Sequence, residues 1–150
     1  MVKNIKRIYI EKKKGFDVEG QNLFADLKEN LGIKNLKSVR VINRCDVEGL
    51  SDEELETAKK IVFSQPPVDN VYDETIDIGE GERLIAIEFL PGQYDQRADS
   101  ASQCIQLLTL REKPRVKVAK IIVLSGDIND EEYEKIKTYL INPIECQEAS

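Results

Sequence analysis

The sequence has no histidine and no tryptophan, and it has only three cysteines among its 150 residues. Without histidine the chain lacks the commonest general base near neutral pH, the imidazole metal ligand, and the serine–histidine and cysteine–histidine pairs of nucleophilic catalysis. Cys45, Cys104 and Cys146 are odd in number and widely spaced, which suits neither a disulfide framework nor a paired-cysteine metal site. We therefore expect reduced thiols, no metal site and no catalytic residue in this chain.

Long apolar runs are missing as well. No segment approaches the roughly 18 consecutive apolar residues of a membrane-spanning helix, and the charged residues 1–7 lack the apolar core of a signal peptide. These absences favour a cytoplasmic protein without a membrane partner. With 41% hydrophobic and 33% charged residues, the 150-residue chain has the size and composition of one domain around a single core.

Charge is distributed unevenly along the chain. Residues 1–40 hold 10 Lys and Arg against 5 Asp and Glu, whereas residues 41–150 hold 12 against 23. The basic end would suit phosphate or RNA, but the acidic excess in the remainder would repel a polyanion. A solvated strand edge explains the lysines at residues 12–14, and we expect no nucleic-acid partner.

The order of strands, turns and helices occurs twice in the sequence. Residue patterns predict strands over 5–11, 39–44, 83–90 and 116–124, and helices over 22–31, from 51, over 96–110, and from 129 to before residue 143. Matching landmarks lie 77 or 78 residues apart: Gly15 and Gly92, Pro66 and Pro143, Asp52 and Asp130. Three separate landmarks that agree within one residue indicate an internal duplication.

The duplication predicts the fold class. We expect an α+β fold of two β-α-β-α units that pair as a pseudo-dimer: half 1 over residues 1–68, an acidic connector over 69–82, and half 2 over 83–150. Each half has too few strands to cover a sheet face, so we expect one shared antiparallel sheet covered by helices. Residues 84–90 are apolar on both faces, which predicts a position near the centre of that sheet.

Several motifs that resemble chemical sites have simpler structural explanations. The carboxylates at residues 52–54 and 130–132 fall where helices are expected to begin, and the helix dipole favours negative charge there without a metal. The G-x-G at residues 79–81 lacks the third glycine of a dinucleotide loop, and its glutamate would repel a pyrophosphate. Cys104 shares a helical face with Ile105, which predicts a packing role.

The strand-to-helix turn over residues 90–104 concentrates amides, carboxylates and one arginine, and turns of this kind often carry function. One interpretation is an elaborate helix N-terminus, in which Asp95 is the cap and Arg97 pairs with Asp99 or Asp95. The other is a docking surface, because arginine and glutamine are long, directional donors that can fix a partner's carboxylates and backbone. The candidate interface residues are Gln93, Asp95, Gln96, Arg97 and Asp99.

Residues 90–101, LPGQYDQRADSA, with Gln103 and Cys104 following, resemble a signature of the large, single-chain phosphoribosylformylglycinamidine synthases, also called formylglycinamide ribonucleotide amidotransferases. The likeness extends to residues 40–50, 63–69 and 141–143, so it spans nearly the whole chain. The twelve-residue block is specific, and the other stretches support it.

The resemblance implies the N-terminal, non-catalytic domain of a purine-biosynthesis enzyme. That enzyme converts formylglycinamide ribonucleotide to formylglycinamidine ribonucleotide with ATP, magnesium and ammonia released from glutamine. The resemblance also implies a fold like a dimer of the small bridging subunit of the multi-subunit synthase. The expected partners are the synthetase and glutaminase domains of the same enzyme, whose catalytic residues would lie beyond Ser150. No cofactor is expected in this chain, and self-association of the isolated domain is left open.

Two other classes of function stay open. A stand-alone regulatory domain would bind a small ligand in the seam between the two halves, where such pockets form. An RNA-binding module would need aromatic rings on the sheet face near the basic end, where Tyr9 is the candidate. A metabolite that stabilises the chain would favour the regulatory domain, whereas a docking domain should respond to its partner domains.

Overall fold

The computed structural model describes residues 5–73, 75, 82–89, 95–110, 114–141 and 146–148. In chain order its elements are β1 (Ile5–Lys12), α1 (Val18–Glu29), β2 (Leu36–Glu48), α2 (Asp52–Ala58) continued by a π-helical turn (Lys59–Phe63), β3 (Asp69–Asp73), β4 (Arg83–Phe89), α3 (Gln96–Thr109), β5 (Val116–Gly126), α4 (Asp130–Leu140) and β6 (Cys146–Glu148).

The strands form one antiparallel sheet in the order β3-β1-β2-β5-β4-β6. Its centre is the pair of long strands β2 and β5, which run side by side from Leu36 opposite Gly126 to Val47 opposite Val116. The predicted α+β class with a single antiparallel sheet is therefore confirmed. The longest ladder lies between these two strands because they offer each other the most backbone donors and acceptors.

Two parts of the sheet differ from the expectation. Residues 84–90 are expected near the centre, but β4 lies second from one edge, between β5 and the short strand β6. The apolar residues of β4 correctly indicate a strand with a neighbour on each side. They do not indicate how far that strand lies from the sheet edge, because this depends on the strands with which β4 pairs. The first five residues of the predicted connector over 69–82 form β3, an edge strand on β1. Its polar composition is typical of an edge, where one side of the strand faces solvent.

The helices begin where side chains cap them. Before α2, the hydroxyl of Ser51 accepts from the backbone N–H of Glu54 at 3.1 Å, and the Glu54 carboxylate accepts from the Ser51 N–H at 3.0 Å. Asn129 forms the same capping box at the start of α4. Helix α1 begins at Val18 rather than at residue 22, because Asp17 caps it by accepting from the N–H of Gly20 at 3.0 Å.

The four helices lie on one face of the sheet, where they bury two apolar cores. Helices α1 and α4 cover the first core, which contains Leu27 and Ile136. Helices α2 and α3 cover the second core, which contains Leu55 and Ile105. Each fully buried aliphatic side chain of this size stabilises the fold by about 1.5–3 kcal/mol. The two helix pairs stand side by side, and the line between them crosses β2 and β5.

The other face of the sheet holds a smaller apolar cluster that is flanked by ion pairs. Arg40 donates two hydrogen bonds to Glu11, at 2.7 and 2.8 Å, and Arg7 donates two to Asp46, at 2.8 and 3.1 Å. These pairs join β1 to β2 and stabilise their register. Tyr9 is buried within this cluster, so its ring is not available to stack on a nucleic-acid base. The cluster comprises Tyr9, Ile42, Ala86, Ile121 and Val123.

Gly126 provides a test of the packing at the end of β5. Its φ is 137°, and an added Cβ would lie 2.2 Å from the carbonyl oxygen of Asn35. We expect Gly126→Ala to lower the free energy of unfolding by about 3 kcal/mol or more, because backbone strain and a backbone clash add together. Urea denaturation measures the loss.

Gly15→Ala is the matched control for that substitution. Gly15 also has a positive φ, 92°, but nothing lies within 4 Å of an added Cβ, so backbone strain of about 1–2 kcal/mol is the whole expected cost. Equal losses in the two variants would contradict the close approach of Gly126 to Asn35.

Candidate functional site

A depression runs along the line between the two helix pairs, above the centre of the sheet. It consists of three neighbouring cavities with volumes of about 240, 320 and 200 Å³. Asn43 of β2 and Arg97 of α3 line all three, and we call the depression the central groove. Helix α3 forms one wall through Arg97, Ser100 and Cys104, and residues 16–19 at the start of α1 line the opposite side.

The floor of the central groove is polar where the rest of the sheet face is apolar. Asn43 lies directly opposite Lys120 of β5 in the strand register. Their neighbours on the same face of these two strands are Val39, Val41, Cys45, Val118, Ile122 and Leu124. Polar side chains are accommodated at this point because none of the described helices covers it, so the groove floor is where the two apolar cores separate.

The lysines of the groove have ion-pair partners within the chain, whereas Arg97 has none among the described residues. Lys120 forms an ion pair with Glu19, and Lys12 forms one with Asp69 at 3.0 Å. Arg97 is exposed, and it makes no hydrogen bond or ion pair to any residue that the structure describes. Its guanidinium therefore has unused donors that face the groove.

The helix-cap interpretation of residues 90–104 is confirmed in one respect and wrong in another. Asp95 is the N-cap of α3, and its carboxylate accepts from the N–H of Ala98 at 3.1 Å. The predicted pairing of Arg97 with Asp99 or Asp95 does not form. Asp99 lies about 200° around the helix from Arg97 and accepts from Gln103 at 2.8 Å instead.

The predicted interface residues therefore separate into two sides of α3. Arg97 and Asp95 line the central groove, whereas Gln96 is exposed at the first helical position and Asp99 lies on the far side of the helix. Gln93 lies outside the described residues. Asn43 and Lys120 were not predicted as site residues. Each is a polar residue at a position of its strand where the alternation of apolar residues predicts a core residue, and this break in the pattern could have indicated them.

Two cysteines line the 240 Å³ cavity beside Arg97, and they differ in exposure. Cys45 is 3% exposed, and burial raises the pKa of its thiol to about 12 although the nearby Arg97 charge acts in the opposite direction. Cys104 is exposed at the rim, so the predicted packing role is wrong. The buried side of α3 is centred on Ala101, Ser102 and Ile105, and Cys104 falls beside it.

The side chains of the groove provide hydrogen-bond donors that can bind a ligand. Arg97 presents a fork of N–H donors and Asn43 an amide donor, a combination that suits a carboxylate. In the part of the chain that the structure describes, no group of three or more acidic or cysteine side chains converges as a metal site. The described helices also lack the combined length and apolar character that crossing a membrane requires.

No protein-family model and no curated protein matches this chain.

The exposures of the two thiols predict different reactivities. In a Cys146→Ser variant at pH 8, Cys104 should react rapidly with a maleimide, whereas Cys45 should react only after the chain unfolds, because its raised pKa keeps the buried thiol protonated. Mass spectrometry of the labelled protein over time measures both rates. Two rapidly reacting thiols in the folded chain would contradict the burial of Cys45.

Proposed function

We propose that this chain is the N-terminal, non-catalytic docking domain of a large phosphoribosylformylglycinamidine synthase, and that it bridges the synthetase and glutaminase domains. The family is proposed from residues 90–101 and the three shorter stretches that accompany them. The observation that carries the docking role is Arg97, an exposed cation in a groove whose lysines are already paired. An arginine at a groove wall that has no ion-pair partner in the described part of the chain suits a carboxylate that another polypeptide supplies.

The proposal includes an internal duplication, which the strand registers support. Adding 77 to both residues of a pair in half 1 gives a pair in half 2: Ile8 opposite Cys45 becomes Ile85 opposite Ile122. The same addition of 77 converts the residue pairs between β1 and the edge strand β3 into those between β4 and the edge strand β6. The sheet order is also unchanged when each strand is exchanged for its equivalent. A pseudo-two-fold axis between β2 and β5 accounts for all three observations.

Ion pairs at the strand starts support the same relation. Lys6 of β1 contacts Asp52 at the start of α2, and Arg83 of β4 contacts Asp130 at the start of α4, both at 2.8 Å. Lys6 and Arg83 are 77 residues apart, and Asp52 and Asp130 are 78 apart. Exposed ion pairs of this kind contribute little to the free energy of folding. Their importance here is that the same contact occurs at corresponding positions of the two proposed halves.

The pseudo-two-fold relation gives Arg97 a counterpart. Glu19 follows the α1 cap by two residues, as Arg97 follows the α3 cap, and Lys120 is equivalent to Asn43. On one side of the groove, Glu19 and Lys120 satisfy each other's charge in an ion pair within the chain. Arg97 above Asn43 leaves the other side open, and that difference between the halves favours a binding role for Arg97.

A regulatory domain that binds a small ligand is the second candidate function. The observation that favours it is the 320 Å³ cavity in the seam between the halves, which is lined by Arg97, Lys120 and Asp95 among others. This volume is at the lower end of the range of small-molecule sites, about 300–1,000 Å³. Such a domain would be stabilised by a metabolite in the absence of any partner polypeptide.

Arg97→Ala in a complete synthase tests the docking role. We expect glutamine-dependent synthesis to fall about tenfold and synthesis driven by added ammonium to fall much less, because the glutaminase would be mispositioned while the synthetase is intact. Arg115→Ala, at an exposed arginine outside the groove, is the matched control. Equal losses in the two assays would contradict docking and favour a role in folding or in substrate binding.

Reconstitution tests the assignment as a whole. The chain is mixed with a synthase polypeptide that begins at residue 151, and glutamine-dependent amidine formation is assayed with and without the chain. We expect activity to return only on mixing. Activity that is indifferent to the chain, together with a rise in its melting temperature with a metabolite, would favour the regulatory function.

A further inference from the structure

Helix α3 exposes apolar side chains beyond the central groove. Leu107 is 77% exposed and Leu110 is 88% exposed. Leu110 ends the helix with φ 57° and ψ 29°, a left-handed conformation that glycine adopts at a lower cost. Single exposed leucines are normal on a protein surface, but these two lie at the end of the groove wall.

The apolar end of α3 is continuous with the groove. At 3.6 residues per turn, residues 97, 100, 104, 107 and 108 fall within an arc of about 100° and extend over about 16 Å. The first three line the 240 Å³ cavity together with Val62 and Phe63 of the π-helical turn. We call the five residues the α3 strip: Arg97, Ser100, Cys104, Leu107 and Leu108.

We infer that the partner of this docking domain binds the α3 strip through one segment that presents a carboxylate to Arg97 and an apolar side chain to Leu107. The inference rests on the proposed function. A carboxylate is the expected contact of Arg97, because Lys12 and Lys120 have ion-pair partners within the chain and Arg97 has none among the described residues. Asp95 lines the same cavity, but its carboxylate is engaged as the cap of α3. The exposed leucine selects the apolar contact, because its burial against a partner removes apolar surface from water.

The spacing of the two contacts limits the conformation of the partner segment. About 15 Å separates Arg97 from Leu107 along the helix axis. An extended segment covers that distance in about five residues, and a helix covers it in about ten. The partner should therefore carry an acidic and an apolar residue at one of these two spacings.

Cys104 lies in the middle of the strip and provides a reporter. The test uses the chain with Cys146→Ser and, as the partner probe, the synthase polypeptide that begins at residue 151. We expect the probe to slow maleimide labelling of Cys104 by about tenfold or more, while the buried Cys45 stays unlabelled throughout.

Three substitutions test the two contacts by binding to the same probe. Arg97→Ala and Leu107→Ser should each raise the Kd about tenfold, because each removes one anchor of the interface. Ile5→Ser is the matched control, since Ile5 is 55% exposed on β1 and lies outside the strip, and it should leave the Kd unchanged. All three positions are exposed, so the melting temperatures should stay close to that of the parent chain.

The outcomes separate failure of the inference from failure of the proposed function. A complex that forms while Cys104 labels at an unchanged rate, or that tolerates Leu107→Ser, overturns the inference and leaves the docking function standing. The absence of any complex with the parent chain overturns both. Protection of Cys104 by a higher concentration of the chain alone, or by sodium glutamate alone, identifies a second copy or a small ligand as the occupant and also overturns the inference.

Discussion

The pairing of β2 with β5 is the constraint on which the rest of the structure depends. It is the longest ladder in the sheet, and it fixes Asn43 opposite Lys120. Two helix pairs then cover the sheet side by side, and the line between them crosses both strands, because each pair packs on apolar residues of both β2 and β5. The groove is a consequence of this arrangement, since it lies along the line between the two described helix pairs, where neither pair covers the sheet.

Local signals in the sequence predicted the helices well and the strands less well. The starts of α2 and α4 follow from Ser51 and Asn129, whose capping partners lie three residues away in the chain. The strand β2 was expected over residues 39–44 and extends over Leu36–Glu48. The ends of β2 carry charged residues, so they lack an apolar strand pattern. Their backbone groups are hydrogen-bonded to β1 and β5, and local sequence does not predict that pairing. The same reason explains why the sequence pattern predicts a connector where the edge strand β3 lies.

The candidate site shows a similar division. Arg97 was identified because a lone arginine among amides and carboxylates is a visible compositional signal. Its environment was not predicted, since the expected pairing with Asp99 ignored their separation of about 200° around the helix. Asn43 and Lys120 were missed although they are 77 residues apart, the period found in the sequence. On the proposed duplication, residues separated by the repeat lie opposite each other across the two-fold axis, so the period and the pairing together would have found them.

On the proposed duplication, the lack of an ion-pair partner for Arg97 among the described residues follows from a small energetic difference between equivalent positions. Glu19 and Lys120 form a partly exposed ion pair, and such pairs contribute about 1 kcal/mol or less to folding. Replacing that pair by Arg97 above Asn43 in the other half therefore costs little stability. The difference replaces an internal ion pair with an exposed arginine that has no ion-pair partner among the described residues, on the same helix as the exposed Leu107. On the proposed docking function, binding to a partner can recover more free energy than folding lost. A duplicated fold can specialise one half in this way because the other half keeps the seam closed.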